Sequence, residues 1–383
     1  MKTLFYTGIA GLILFEIANV YFIMPMPGSQ KAETIDIAYF LYSWRWIFRS
    51  VFGLCLVIGF LKAFRAQRFI SILALLPLGV VIFMFNFKMT AHRMFYQPHT
   101  LSMQPASDNV IPEEKLVLGY VHEGEARAYP IQLIAYHHQV LDTVGGETVM
   151  VTYCSVCRSG RIFKPEIEGK PASFKLVGMD HFNAMFEDHQ TKSWWRQATG
   201  EAITGKHKGK KLPELISEQT TLAHWLHVYP HSLIMQYDSA FQEQYDSLDT
   251  YDIGIGRGKL TGTDTLSWND KSWVIGIVSD DQAKAYDWNQ LKRERIIHDV
   301  IGALPVLLVF STDNKNFIAF ERHSADILFT AYQDTLQFND TKYDFSGRAL
   351  TPGYTSLKKV QAYQEFWHSW RTFHPNTTQY QRK

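Results

Sequence analysis

"LFYTGIAGLILFEIANVYFIM", Leu4 to Met24, is an apolar stretch long enough to cross a hydrocarbon core of about 30 Å. Two more runs follow within the first ninety residues, from Trp46 to Leu61 and from Phe69 to Phe87. Nothing else in the chain restricts its folding so much. Lipid offers the backbone no water, so each span must close its own hydrogen bonds as a helix. Residues 1–90 are therefore read as a membrane anchor with three transmembrane helices, and the lipid bilayer as the first partner. No small-residue cleavage site ends the first run, which favours an anchor over a removable signal. Glu16, Asn19 and Arg49 are costly in lipid and are expected to face neighbouring helices or the interface.

Orientation rests on "LKAFRAQR", Leu61 to Arg68, a short loop that holds Lys62, Arg65 and Arg68. Basic short loops stay in the cytoplasm. Lys2 agrees, whereas Lys31, Arg45, Arg49, Lys88 and Arg93 then lie outside and weaken the rule's vote. The reading is an integral protein of a bacterial inner membrane with a large extracytoplasmic C-terminal domain. At 383 residues the chain is long enough for two cores beyond a simple anchor, and a formal net charge of +1 gives no sign of a nucleic-acid partner.

Beyond a polar stretch, His99 to Asp108, the chain echoes itself. "LVLGYVHEGEARAYP" from Leu116 matches "WVIGIVSDDQAKAYD" from Trp273: Val117 with Val274, Gly119 with Gly276, Ala128 with Ala285 and Tyr129 with Tyr286. The register continues without a gap through Asp142 and Asp299, Gly145 and Gly302, and Phe163 and Phe320. "TGEAIT" from Thr199 then echoes "SGRALT" from Ser346, and "WLHVYPHS" from Trp225 echoes "WRTFHPNT" from Trp370. An ordered series in one register points to two copies of one unit. The expected domains are a first repeat over 110–237, an inter-repeat linker over 238–267 and a second, degenerate repeat over 268–380. Each copy reads as a hairpin, a short helix such as "PIQLIAYHHQVL", further strands, and an amphipathic helix stopped by proline. The fold class is α+β: N-terminal transmembrane helices followed by two tandem, strand-rich repeats with short helices.

The first copy holds "VTYCSVCRSGRIF", with Cys154 and Cys157 between two strand-like runs. The only other cysteine, Cys55, lies in an apolar run, so at most one local bridge is possible. Thioredoxin-like enzymes place this spacing at the start of a long helix. Glycine followed by a strand-like run predicts a strand–turn–strand hairpin here instead. The second copy has Ser311 and Asn314 at the matching positions, and Glu294 and Arg295 opposite His137 and His138. Cysteines and histidines are thus absent together, which groups them as candidate metal ligands: Cys154, Cys157, His137, His138 and, more weakly, His181. Two thiolates and an imidazole suit zinc or copper. A thiol–disulfide redox pair and a local disulfide without chemistry remain the alternatives.

Other motifs carry less. "GIGRGKLTG", Gly254 to Gly262, lacks the Ser or Thr that must follow Gly-Lys in a phosphate loop; it reads as a loop covering a cleft between the copies, where Arg257 and Lys259 could meet an anion. Trp194 and Trp195 read as core aromatics beside a solvated Arg196. No Ser-His-Asp order or G-x-S-x-G occurs. Asn339 and Asn376 fit glycosylation acceptors, which matter only in a host that glycosylates.

The stretches "GEARAYP", "DTVGG", "VTYCSVCRSG" and "TGEAITG", in this order, resemble the domain-of-unknown-function 3179 family over about 110 to 378. The resemblance places the family histidine on His137 and its cysteines on Cys154 and Cys157. Tyr136, Leu141 and Trp194-Trp195 stand where the family has Trp, Asn and Leu-Trp. The family implies no settled activity, and the membrane region is an addition to its domain. Two functions are therefore carried forward. One is a membrane-anchored extracytoplasmic protein with a Cys-x-x-Cys plus His metal-binding or redox site. The other is a non-enzymatic binding module whose two units form a cleft and whose cysteines form a local disulfide. No protein partner is indicated.

Overall fold

A computed structural model describes residues 1–256 and 258–382 and divides into two compact units. The first joins Met1–Tyr96 to Gly169–Lys211, and the second joins Gln97–Glu168 to Leu212–Lys383.

In the first unit, Lys2–Tyr21, Arg45–Ala66 and Arg68–Lys88 are long and apolar enough to cross a membrane. Helices in lipid gain most from close backbone approach. A Cβ on Gly8 would lie 2.6 Å from the Leu56 backbone nitrogen, and one on Gly59 would lie 2.4 Å from that of Phe5. The first two spans therefore touch along their glycines. Large apolar side chains such as Leu54, Ile58, Leu73 and Val80 are exposed on these helices. The expected polar residues turn inward: Arg49 donates to both Glu16 oxygens at 2.7 and 2.8 Å, and Asn86 Nδ2 donates to Glu16 Oε2 at 3.0 Å. Asn19 is buried.

Residues Gly169–Lys211 add an antiparallel sheet to this unit, in the order Ala202–Thr204, Trp194–Arg196, Asn183–Asp188, Phe174–Asp180. Trp194 and Trp195 are fully buried, and Tyr39 and Tyr42 meet Trp194 edge-on at 5.1 and 5.3 Å. Arg196, expected in solvent, instead donates to Asp180 at 2.6 and 2.9 Å. Gly178 lets its strand lie against the chain after the first span: Met179 N–H donates to Ile23 O at 2.8 Å, where a Cβ on Gly178 would come within 2.4 Å.

In the second unit, two sheets share a strand order. One runs Leu233–Met235, Glu125–Pro130, Leu116–His122, Glu218–Thr221, with Met103–Gln104 added at its edge. The other runs Thr378–Gln379, Gln282–Asp287, Trp273–Ser279, Ala362–Phe366. Gly119 pairs with Ala128 in the first and Gly276 with Ala285 in the second. A ring lies on each glycine, Trp225 on Gly119 and Trp370 on Gly276. Two further sheets also correspond: Gln139–Val144, Glu147–Cys154, Ser159–Phe163, Glu214–Leu215, and Ile296–Ile301, Leu304–Phe310, Phe317–Glu321, Lys359–Val360.

One local expectation is corrected. The helix starting at Ile131 stops at His137, because His138 adopts a left-handed φ of 61°; Gln139–Val144 is then a strand. The stretch 238–267, read as an inter-repeat linker, has structure of its own. It contains the helix Gln242–Ser247, and Tyr245 and Tyr251 are fully buried.

Candidate functional site

The β-branched run Thr148–Thr152 forms a strand that delivers Cys154 to a tight turn, and Ser159–Phe163 returns from it with Cys154 opposite Ser159. The expected hairpin is thus present. Cys154 and Cys157 lie 3.8 Å apart and are not joined in a disulfide, which corrects the local-bridge expectation. Both are wholly buried. Burial pushes the Cys157 thiol well above its ordinary range; the neighbouring Cys154 adds to this, and Ser369 opposes it. A buried, protonated thiol is a poor nucleophile, unlike an exposed thiolate at a helix start.

The turn is sealed by residues more than ninety positions away. Phe366 N–H donates to Cys157 O at 2.9 Å, Lys271 Nζ donates to Val156 O at 2.7 Å, and the Tyr251 hydroxyl donates to Ser155 O at 2.8 Å. His368 Nε2 lies 3.2 Å from Val156 O, and burial, then the charge of Lys271, pushes its pKa down to about 4. Two arginines flank the pair and are fully buried. Arg158 donates to Gln364, to Tyr251 O and to Asp252 O at 3.0, 3.0 and 2.6 Å, and stacks on Trp273 at 3.9 Å. Arg161 pairs with Glu365 and lies 3.6 Å over the Tyr363 ring. Buried guanidiniums need such saturation, because an unpaired charge there costs several kcal/mol.

The histidines have partners of their own, and the His138 carbonyl accepts from Tyr153 N–H, next to Cys154, at 3.1 Å. His137 Nε2 lies 2.6 Å from the Tyr245 hydroxyl, amid Tyr136 and Phe241. His138 Nδ1 lies 2.9 Å from Tyr136 O, and burial pushes its pKa down to about 4, so the ring is neutral near pH 7. His181 belongs to the other unit, where its Nδ1 lies 2.7 Å from Asp180; that hydrogen bond raises its pKa. Among the described residues no group of three His, Cys, Asp or Glu side chains gathers in a way that could hold a metal ion. The structure therefore brings the two sulfurs together but does not assemble the five candidates into one group.

Sequence reasoning missed a cavity of about 390 Å³. Its wall includes Leu116 from one half of the second unit, Trp273 and Trp288 from the other, and Asp252 from the stretch between them. Asp252 Oδ2 accepts from Leu116 N–H at 3.0 Å, while its buried Oδ1 has no hydrogen-bond partner. Burial raises the Asp252 pKa. The expected cleft-covering loop does contribute Gly254 and Ile255, but Arg257 lies outside the described residues and Lys259 is not in the wall. The one legible hint was the apolar and acidic content of this stretch, which gives no position.

Three helices long and apolar enough to cross a membrane and a strand-rich α+β region with a buried thiol pair define the architecture. Residues 96–377 match the family described as Protein of unknown function (DUF3179), and the chain belongs to it. No curated protein matches the chain, and no solved structure does.

Proposed function

We propose that this protein is a membrane-tethered, non-enzymatic binding module whose large domain lies outside the cytoplasm and whose cavity takes a small organic cation. The observation that carries the reading is Asp252, a residue of the cavity wall whose buried Oδ1 has no hydrogen-bond partner. An orphaned acceptor costs about 1–3 kcal/mol, which a ligand ammonium donor would offset. Carboxylates outnumber amines in that wall: Glu114, Asp264 and Asp313 join Asp252, against Lys292 and Lys315. Trp273 and Trp288 offer faces for an apolar body. The cavity's wall draws on both halves, and the matching strand orders, registers and Trp–Gly contacts support their origin as two copies of one unit. The basic loop Leu61–Arg68 supports the orientation.

The test is calorimetric titration of the full chain in neutral detergent with phenethylammonium. Saturable binding is expected, weakened at least about tenfold in Asp252→Asn, since a charge-assisted hydrogen bond is worth about 1.5–3 kcal/mol. Affinity should rise with pH as Asp252 loses its proton. No binding at about 10 mM, or equal binding by the variant, refutes the reading.

One observation favours a second reading, a soft-metal or redox dithiol. Two thiolates on one tetrahedral ion with bonds of about 2.3 Å stand roughly 3.8 Å apart, the separation of Cys154 and Cys157. Zinc or copper would displace both thiol protons; oxidation by a disulfide-bearing acceptor would instead close the pair and return the acceptor as two thiols. Stoichiometric metal lost in Cys154→Ser favours the ion, and a reversible loss of two titratable thiols favours the redox pair. Two persistent thiols without metal remove both.

A further inference from the structure

A second cavity, of about 280 Å³, lies within the first unit. Its wall takes Asn19 to Ile23 near the end of the first span, Arg45 and Arg49 at the start of the second, and Phe85 and Asn86 near the end of the third. It is therefore at the end of the helix bundle opposite the basic loop Leu61–Arg68, at the depth where the chain leaves hydrocarbon.

The wall contains four cationic side chains, Arg45, Arg49, Arg93 and Lys175, and no carboxylate. Arg49 and Lys175 are compensated from behind by Glu16 at 2.7 Å and Glu187 at 3.0 Å. Arg45 and Arg93 are not: among the described residues neither has a carboxylate within ion-pair distance. Arg45 instead lies 4.0 Å over the Tyr42 ring, and Arg93 lies 5.0 Å over the Phe87 ring. Stacking fixes a guanidinium plane; Arg45 also donates from Nη1 to the Tyr42 carbonyl at 2.5 Å, so its other N–H groups and the fork of Arg93 are what an anion would meet. The positive field is felt locally, since His92 in the same wall is held below its ordinary pKa by burial and then by Lys175 and Arg93.

Planar, unneutralised guanidiniums beside apolar Val20, Ile23 and Phe85 suit a phosphate that carries acyl chains. We propose that this cavity binds the phosphate of an anionic phospholipid headgroup. The inference rests on the spans being transmembrane. Phosphate is chemistry shared with the free anion, and the apolar part of the wall selects the lipid.

The full chain, purified in neutral detergent, is offered phosphatidylglycerol, phosphatidylcholine or inorganic phosphate, and retention is read by native mass spectrometry. One phosphatidylglycerol per chain is expected to survive, with phosphatidylcholine stripped. Arg45→Gln with Arg93→Gln should lower that retention at least about tenfold. Arg93→Gln alone, at an exposed position, should lower it about threefold if the double variant does not fold. Equal retention of the two lipids, or unchanged retention in the variant that folds, overturns the proposal. Inorganic phosphate binding at about 10 mM without lipid retention overturns the lipid assignment and leaves a free-anion site. A chain that stays soluble and monodisperse without detergent would instead remove the transmembrane reading, and the phosphate arm still reports on the cavity.

Discussion

The turn around Cys157 and the turn around Asn314 cap hairpins of the same register: Cys154 stands opposite Ser159, and Ser311 N–H donates to Asn316 O. Their surroundings differ completely. Residues 154–159 are all buried, whereas Thr312, Asp313 and Asn314 are exposed and two of them line the 390 Å³ cavity. Phe366 N–H closes the first turn on the Cys157 carbonyl; at the second, Thr221 N–H is taken at 2.6 Å by the Asn316 side chain. A buried turn has to spend its side chains on one another, while an open turn satisfies its backbone with water and Asx geometry. The cysteines and arginines thus belong to the covered turn, and the polar turn residues to the open one.

The largest expected difference between the turns is at Arg158 and its counterpart Lys315. Arg158→Ala removes three hydrogen bonds and a stacked cation from a fully buried place. It should cost more than about 3 kcal/mol, against less than about 0.5 kcal/mol for Lys315→Ala, read from denaturant midpoints in detergent. Similar losses would show that the covered turn is not the tighter of the two.

A smaller contrast separates His138 from Arg295, both left-handed helix ends, at φ 61° and 63°. The His138 pKa is depressed to about 4 from an ordinary 6.5. The unfolded chain therefore binds more protons between those values, so stability is full above about pH 6.5 and falls as pH drops towards 4. The contribution is about 3 kcal/mol, of order of magnitude only. His138→Gln should flatten the acid limb of the stability–pH curve, whereas Arg295→Gln should leave its shape unchanged.

The smallest effect should erase the contrast. Gly119→Ala and Gly276→Ala each drive a Cβ into a tryptophan ring, at 2.3 and 2.1 Å. Each should cost about 1–3 kcal/mol, and the two should agree within about 1 kcal/mol. A large disagreement would show that the matching sheets do not pack alike.

Several features were legible because they are periodic and local. Apolar length marked the three long helices, and the cost of charge in lipid anticipated that Glu16 and Arg49 face neighbouring helices, though not that they pair. The spacing of Gly119 and Gly276 anticipated hairpins in the same register, and Gly160 after the cysteines anticipated a returning strand. Of the candidate site, the neighbouring sulfurs were legible; the contact of His137 with Tyr245, a residue more than a hundred positions on, was not. No local pattern announces a partner at that distance.

Taken alone, then, the sequence determined where helices are long and apolar enough to cross a membrane, which strands fold back on their neighbours and where a turn must hold two thiols, since each depends on residues a few positions apart. Only the tertiary structure decided that Gly169–Lys211 groups with the N-terminal helices, that Phe366 and Lys271 seal the cysteine turn, and that Asp252, in a cavity wall, keeps a buried oxygen without a partner. Those outcomes depend on shape and charge matching between distant segments, and that complementarity exists only once the chain has packed.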